Sequence, residues 1–278
     1  MNPAPLERIG ALSDSEIDLA DAALELGALD RPGVSLQSYR DHVLRMVDAA
    51  INLGRSIAQP HEQATLLSYV LFRRHGYEGD RATYEDPANA NLLDVIDRKR
   101  GLPVSLSILY LSIARLAGWH ADGLNVPAHF LIRVGEGAAA VLQDPFDQGK
   151  QITASSLEVL VRRATGGDMP LETEHLQALS NRAILIRLLN NIAARAERTA
   201  TMPGAQHAHA HDRHRASLHR PLVGACAARA GDGPRARGAL LARRHARDHT
   251  QPGNRRPDSP GARRTGAIHE LIVFGFPR

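Results

Sequence analysis

Hydrophobic residues recur every three or four positions through most of the first 117 residues, which is the spacing of helices with one buried face. Ser13 followed by Glu16 has the pattern of a capping box and predicts a first helix over residues 13–27. A second helix is predicted over residues 35–53, where six large side chains share one face: Leu36, Tyr39, Val43, Met46, Val47 and Ile51.

Three further helices are predicted before residue 120. One covers residues 61–75, and another covers residues 90–100, with Gly101 as the glycine that ends it. The third is "PVSLSILYLSIARLAG", in which Pro103 suits the first helical position and Gly118 ends the helix. Because this last helix is apolar on nearly all sides, we expect it to be central and buried.

The pattern then changes to short apolar runs. Residues 128–134 and 138–146 are predicted to be strands joined by the turn "GEG". Helical spacing returns over residues 154–164 and 175–196. The predicted fold class is therefore α+β, with N-terminal helices, a small antiparallel sheet and C-terminal helices.

The composition changes abruptly near residue 200. Residues 203–265 contain 13 Arg, 13 Ala and 7 His, and they contain no Ile, Phe, Tyr, Trp, Met, Lys or Glu. Their net charge is +9, whereas the whole chain carries +4, so the rest of the chain is net acidic. A segment of this kind has too little bulky apolar surface to offset the entropy lost on ordering, which predicts a disordered tail.

Three explanations of this tail stay open. The first is a frame shift, because GC-rich DNA read in the wrong frame yields Arg, Ala, Gly, Pro and His. The second is a genuine basic tail that contacts nucleic acid, which the sequence pI of about 9.6 would otherwise suggest for the whole chain. The third is metal capture by the alternating histidines His207, His209, His211 and His214. A frame shift would also produce such a histidine run by accident.

The remaining composition favours a cytoplasmic protein. The longest apolar runs are too short to cross a bilayer, and the N-terminus lacks the basic start and apolar middle of a signal peptide. The single cysteine, Cys226, lies in the tail and excludes an internal disulfide framework. We therefore expect no membrane association, no cofactor and no metal site in the folded part.

Candidate chemistry lies in the two predicted strands. His129 belongs to the first apolar run, and Asp144 ends the second. A histidine and an aspartate on neighbouring strands form two thirds of a nucleophilic triad, in which the carboxylate orients the imidazole and the imidazole activates a nucleophile. The identity of the nucleophile decides whether the chain is an enzyme.

The blocks "YEDPANANLLDVIDRKRGLPVSLSILYLSIARLAG", "NVPAHFLIRV" and "LQDPFDQG" resemble the transglutaminase-like core of the bacterial SirB family. The resemblance covers residues 35–197. It implies a transglutaminase/papain-like fold, which in this family is followed by tetratricopeptide repeats. The chain is accordingly divided into an N-terminal helical extension (1–34), a transglutaminase-like domain with following helices (35–200) and the basic tail (201–278).

The resemblance also implies a site. In the wider superfamily a nucleophilic Cys begins the buried helix, and His129 and Asp144 match the superfamily His and Asp. The Cys position falls on or near Pro103, where no thiol is present. Ser105 is the only hydroxyl in the first helical turn and is interpreted either as a weak nucleophile or as a residue bonded to local backbone. The chain is therefore more easily read as a pseudoenzyme than as an enzyme.

Further binding candidates surround these residues: Tyr84, Asp86, Asn89, Asn91, Pro103 and Asn125. They are interpreted either as lining a cleft near His129 or as loop and N-cap residues. Three functions follow as hypotheses. The first is a non-catalytic regulatory module that binds protein or peptide, the second a Ser-dependent hydrolase or acyl transferase, and the third a regulator that binds nucleic acid through the tail.

Overall fold

The computed structural model describes residues 5–127, 129–166 and 173–201 of the 278-residue chain. Its α-helices are α1 (Pro5–Ala11), α2 (Leu19–Ala28), α3 (Gln37–Gly54), α4 (Pro60–Ser68), α5 (Leu92–Arg98), α6 (Pro103–Leu116), α7 (Ala154–Thr165) and α8 (Asn181–Thr201). Its strands are β1 (Glu78–Gly79), β2 (Arg100–Gly101), β3 (Ala121–Leu124), β4 (Leu131–Val134), β5 (Val141–Asp144) and β6 (Lys150–Ile152). This arrangement confirms the predicted α+β class.

Helix α6 is the centre of the molecule, as predicted from its all-round hydrophobicity. It begins with Pro103 at its first position, and Gly118 follows its end with a positive φ of 82°. Every residue from Val104 to Ala114 is buried. Helices α2 and α3, which precede it in the chain, pack against α6, and so do strands β3 and β4 and helix α8, which follow it. The start of α6 is thereby fixed relative to the sheet.

The sheet is larger than predicted. Strands β3, β4, β5 and β6 form one antiparallel sheet in that order. The predicted strands correspond to β4 and β5, but both predictions extend too far, and β3 and β6 were missed. Strand β3 contains Asp122 and Gly123, and β6 contains Lys150 and Gln151, so neither has the hydrophobic alternation that identifies a strand. His129 lies in the loop before β4, where its backbone N–H donates to Val126 O, and not within a strand.

The first predicted helix begins later than expected, at Leu19, because a separate 3₁₀ turn precedes it. Ser13 and Glu16 do form a hydrogen-bonded pair, but it caps a short 3₁₀ turn, Asp14–Glu16. Helix α2 has its own N-cap, Asp18, which accepts a hydrogen bond from the backbone of Asp21. The prediction of one helix over residues 13–27 was wrong because two capping residues five positions apart each begin a separate turn.

Gly101 was also wrongly assigned. The residue in the left-handed conformation after α5 is Lys99, with φ of 59°, while Gly101 pairs in strand β2. Gly101 is needed for space, because a Cβ there would lie 2.9 Å from Ser105 Oγ and 3.0 Å from the Val95 side chain. Two smaller differences from the predictions remain. Ile51, assigned to the shared apolar face of its helix, is exposed, and residues 69–74 of the predicted helix 61–75 form a π-helical turn after α4.

The N-terminal helices belong to the larger of two hydrophobic clusters among the described residues, and the smaller one joins the sheet to α7. Ile9, Leu24 and Leu26 belong to the same buried cluster as α6 and the inner face of α8. Residues 202–278, which include Cys226 and the histidine run, lie outside the described residues.

Candidate functional site

The structure brings His129 and Asp144 together. His129 Nε2 lies 2.8 Å from Asp144 Oδ2, and the two side chains are 17% and 6% exposed. The loop before β4 supplies the imidazole, and the end of β5 supplies the carboxylate. Since the carboxylate occupies Nε2, the other ring nitrogen, Nδ1, is the one that remains for accepting a proton or a ligand hydrogen bond.

Asp144 also fixes its own turn. Its Oδ1 accepts hydrogen bonds from the backbone N–H groups of Phe146 at 2.9 Å and of Asp147 at 3.2 Å. One carboxylate therefore holds the turn after β5 and orients His129 at the same time. This rigid support is what a catalytic dyad needs, and it is equally what a binding histidine needs.

The start of α6 holds no thiol, and the hydroxyl in its first turn, that of Ser105, is buried. Pro103 occupies the first helical position. Ser105 has no exposed surface, and its Oγ donates to Asn89 O at 2.8 Å while accepting from Leu102 N–H at 2.9 Å. These bonds use the hydroxyl for backbone contacts, so the structure places Ser105 in the interior and not in hydrogen-bond contact with His129.

Three of the binding candidates hold the backbone. Asn91 caps α5 and donates to Gly27 O at 3.0 Å, and Asn89 donates to Thr83 O at 2.6 Å; neither has exposed surface. Asp86 caps a 3₁₀ turn and forms an ion pair with Arg98. Their geometry corresponds to the loop and N-cap interpretation of the sequence.

Tyr84 and Asn125 lie at the surface with His129. The Tyr84 ring is 42% exposed and stands edge-on to Phe146, with ring centroids 5.9 Å apart. Asn125 is exposed, and its side-chain oxygen accepts a hydrogen bond from Arg187. The second guanidinium nitrogen of Arg187 donates to His129 O at 3.4 Å. We call Tyr84, Asn125, His129 and Arg187 the His129 surface.

Arg187 was missed by the sequence analysis. It belongs to α8, an amphipathic helix that carries several arginines, and nothing in its local sequence distinguishes it from the others. Burial lowers the pKa of Arg187, an effect that nearby Tyr84 partly opposes. The available signal was weak: Arg187, Asn191 and Arg195 recur at intervals of four, and so share one face of the helix.

A buried polar cluster surrounds Gln143, the residue before Asp144 in β5. Gln143 donates to Ala64 O at 2.7 Å and to Gly149 O at 2.8 Å, and Ser68 also donates to Gly149 O at 2.6 Å. The Tyr110 hydroxyl is buried nearby, and burial raises the pKa of this phenol, with Asp144 adding to the effect. These hydrogen bonds tie the end of β5 and the following turn to α4.

Other kinds of site are absent from the described residues. No group of three or more His, Cys, Asp or Glu side chains there is arranged to hold a metal ion. Within the same residues, no helix has the length and apolar character needed to cross a membrane. The histidine run proposed for metal capture lies outside them.

A sequence model described as the Transglutaminase-like superfamily matches residues 37–190, more than half of the chain. The chain belongs to the transglutaminase-like superfamily. The matched region contains α3 to α7 and the whole antiparallel sheet, including His129 and Asp144. The predicted transglutaminase-like domain is thereby confirmed, whereas the tetratricopeptide repeats and the frame shift stay predictions.

Curated relatives of this transglutaminase-like chain carry the name UPF0162 protein. One from Xylella fastidiosa (strain 9a5c) is 30% identical over 187 residues, which cover 66% of this chain and 66% of the relative. One from Vibrio cholerae is 28% identical over 199 residues, 67% of this chain and 72% of the relative. Human F-box only protein 21 is 36% identical over 103 residues, 34% of this chain and 16% of that protein. No solved structure matches significantly.

The chain spans 66% of the length of the first UPF0162 relatives it matches. The name UPF0162 protein states no activity.

Proposed function

We propose that this chain is a non-catalytic transglutaminase-like module that binds a protein or peptide at the His129 surface. The observation that carries the proposal is the start of α6. Acyl transfer needs a nucleophile there, and the position holds Pro103 and the buried, fully bonded Ser105. His129 and Asp144 keep their mutual contact although no free nucleophile lies at this position, and this combination favours a binding function over catalysis.

The composition of the His129 surface also supports binding. Tyr84 exposes a large aromatic face, and Arg187 and the imidazole of His129 supply hydrogen bonds beside it. Aromatic rings and guanidinium groups contribute strongly at protein interfaces because they combine apolar area with directional bonds. The Asp144 contact pre-orders the imidazole, which reduces the entropy lost on binding.

The binding test is selection from a displayed random peptide library, followed by fluorescence anisotropy with the enriched peptides. We expect Tyr84→Ala to weaken binding of these peptides about tenfold or more, since hot-spot truncations cost about 2 kcal/mol. Tyr69→Ala is the matched control, because Tyr69 is exposed to a similar degree, 49%, on the π-helical turn. Equal affinity of the two variants, or the absence of enriched peptides, would contradict the proposal.

The His129–Asp144 contact favours a second candidate, a hydrolase or acyl transferase that uses Ser105. A fluorophosphonate probe separates the two functions, because it labels activated serines. Under the binding proposal the wild-type chain is not labelled, and Ser105→Ala lowers the free energy of unfolding by about 1–3 kcal/mol through lost backbone contacts. Labelling that disappears in folded Ser105→Ala would establish the hydrolase instead.

A further inference from the structure

Arg187 is held in one orientation by neutral groups. Its guanidinium donates to the side-chain oxygen of Asn125 and to the backbone oxygen of His129, and it lies 5.5 Å from the centre of the Phe130 ring. These contacts fix the plane of the guanidinium beside His129 and use two of its bonding directions. Its other N–H groups are left for a further acceptor.

Within the described residues, Arg187 forms no ion pair with a carboxylate. Arg195 and Arg198, farther along α8, are both paired with Glu85. Arg115 is a closer comparison, because burial lowers its pKa as it does that of Arg187. For Arg115, however, the carboxylates of Asp122 and Asp14 raise the pKa again. Arg187 has only the phenol of Tyr84 in that role.

A guanidinium withdrawn from water without an opposite charge is costly, so proteins ordinarily place such a cation beside an acid. A ligand carboxylate would supply that charge. The planar fork of a guanidinium matches the two oxygens of a carboxylate, and a partly dehydrated site strengthens the contact. His129, whose backbone oxygen accepts from Arg187, and Tyr84, whose phenol is near enough to raise the pKa of Arg187, are the neighbouring groups available to the rest of the ligand.

We propose that the His129 surface recognises the C-terminal carboxylate of a peptide ligand through a charge-paired hydrogen bond to Arg187. This inference rests on the proposed binding function and names the chemical group that the site selects. Arg187 acts as a binding residue in this scheme, and His129 and Tyr84 contact neighbouring parts of the peptide.

The test is an NMR titration of the full chain, observing the arginine Nε–H signals. The probes are N-acetylglycine, which carries a carboxylate, and N-acetylglycinamide, which has the same shape without the charge. We expect N-acetylglycine to shift the Arg187 signal in a saturable manner and N-acetylglycinamide to bind at least about tenfold more weakly, as for the loss of a charge-assisted hydrogen bond. Arg187→Gln identifies the signal and should abolish the difference between the probes.

Arg40→Gln is the matched control variant, because Arg40 is already paired with Asp21 and Glu25. It should retain the preference for N-acetylglycine. No shift of Arg187 in the wild-type chain, equal shifts with both probes, or a carboxylate preference that survives in Arg187→Gln would overturn the inference. Sequential NMR assignment of the Nε–H signals in the wild-type chain also identifies Arg187, so a folding defect in Arg187→Gln does not weaken the comparison of the two probes.

The two proposals fail differently. If N-acetylglycine shifts Arg187 selectively but no library peptide binds, the carboxylate site stands and the peptide-binding function fails. If selected peptides bind through Tyr84 and neither probe distinguishes Arg187, the peptide-binding function stands and the carboxylate inference fails.

Discussion

Asp144 is the residue that joins the sheet, its following turn and His129. Its two oxygens accept from two backbone N–H groups and contact the imidazole, and the side chain is nearly removed from water. Backbone donors that lose a buried acceptor cost free energy, since water cannot easily replace the carboxylate. The orientation of His129 and the stability of the domain therefore depend on the same group.

Asp144→Ala is expected to lower the free energy of unfolding by about 2–4 kcal/mol, because it leaves these donors without an acceptor. Asp144→Asn keeps one oxygen and should cost less. Asp147→Ala is the control in the same turn, since the Asp147 carboxylate pairs with the exposed side chain of Arg81 at the surface, and it should cost under about 1 kcal/mol. Urea unfolding measures all three, and similar losses for Asp144→Ala and Asp147→Ala would contradict this account.

A second group of titratable residues lies on the side of α3. His42 Nε2 is 2.8 Å from the Tyr77 hydroxyl, and Lys99 Nζ lies 3.2 Å from the same imidazole nitrogen. Burial, with smaller contributions from the charges of Lys99, His75 and Arg45, lowers the pKa of His42 to about 4. His42 is consequently neutral in the folded protein at neutral pH.

The pH dependence of stability follows from this shift. Because the pKa of His42 is about 4 when folded and about 6.5 when unfolded, the unfolded chain binds more protons between these values. The contribution of His42 is complete above about pH 6.5 and is lost as the pH falls through about 4. Allowing for solvent screening of this half-buried group, we expect a loss of about 1–2 kcal/mol.

Thermal unfolding between pH 7.5 and 4 tests the role of His42. His42→Gln should flatten the fall in Tm relative to wild type, although burial also lowers the pKa of His75 and leaves part of the slope in place. An unchanged slope in His42→Gln would show that other groups control the acid sensitivity.

At the scale of elements, the turn between β5 and β6 is packed against two helices. Gly149 has φ of 73°, and a Cβ there would lie 2.7 Å from the Tyr110 hydroxyl of α6 and would also contact Ser68 of α4. The Tyr110 side chain is fully buried and Ser68 is held by its hydrogen bond to Gly149 O, so both have little freedom to move away. The sheet can approach these helices only because this position lacks a side chain.

Gly149→Ala therefore combines backbone strain with overpacking, and we expect it to lower the free energy of unfolding by about 2–4 kcal/mol. Gly76→Ala is the control for strain alone, because Gly76 has a similar φ of 78° with nothing within 4 Å of the added Cβ. It should cost about 1 kcal/mol. Chemical denaturation of both variants gives the difference, and equal losses would remove the packing explanation.

The elements also show where pattern analysis works. Helices α3 and α6 were predicted to within two residues at either end, because each repeats its apolar positions over more than three turns. Strands β3 and β6 have three or four residues and contain glycine or charged side chains, so no local pattern marks them. They exist because β4 and β5 offer hydrogen-bonding edges.

At the scale of the whole molecule, the N-terminal segment holds the helix that carries Arg187. Asp14 accepts hydrogen bonds from the backbone N–H groups of Asn181 at 3.0 Å and Arg182 at 2.9 Å, which begin α8. The first four N–H groups of a helix have no partner within it, so this carboxylate, 167 residues away in sequence, acts as a distant cap. The position of Arg187 beside His129 thus depends on the N-terminal segment.

Asp14→Ala is expected to lower the free energy of unfolding by about 1–2 kcal/mol and to increase amide hydrogen exchange in the first turns of α8. Asp18→Ala removes the local cap of α2 and is the control, because its exchange effect should be confined to α2. Faster exchange in α8 with both variants, or with neither, would contradict the distant cap.

The sequence alone determined the α+β class, the buried helix α6, the absence of a thiol at its start, and His129 and Asp144 as candidate site residues. These features follow from local periodicity and from motifs that need only nearby residues. Tertiary structure alone decided the contacts of Ser105 and Arg187. The hydroxyl of Ser105 donates a hydrogen bond to the backbone oxygen of Asn89, in a different loop. Arg187 contacts His129 because α8, which Asp14 caps, packs against the rest of the fold. Such contacts join residues far apart in the chain, and no local pattern records which distant groups will meet.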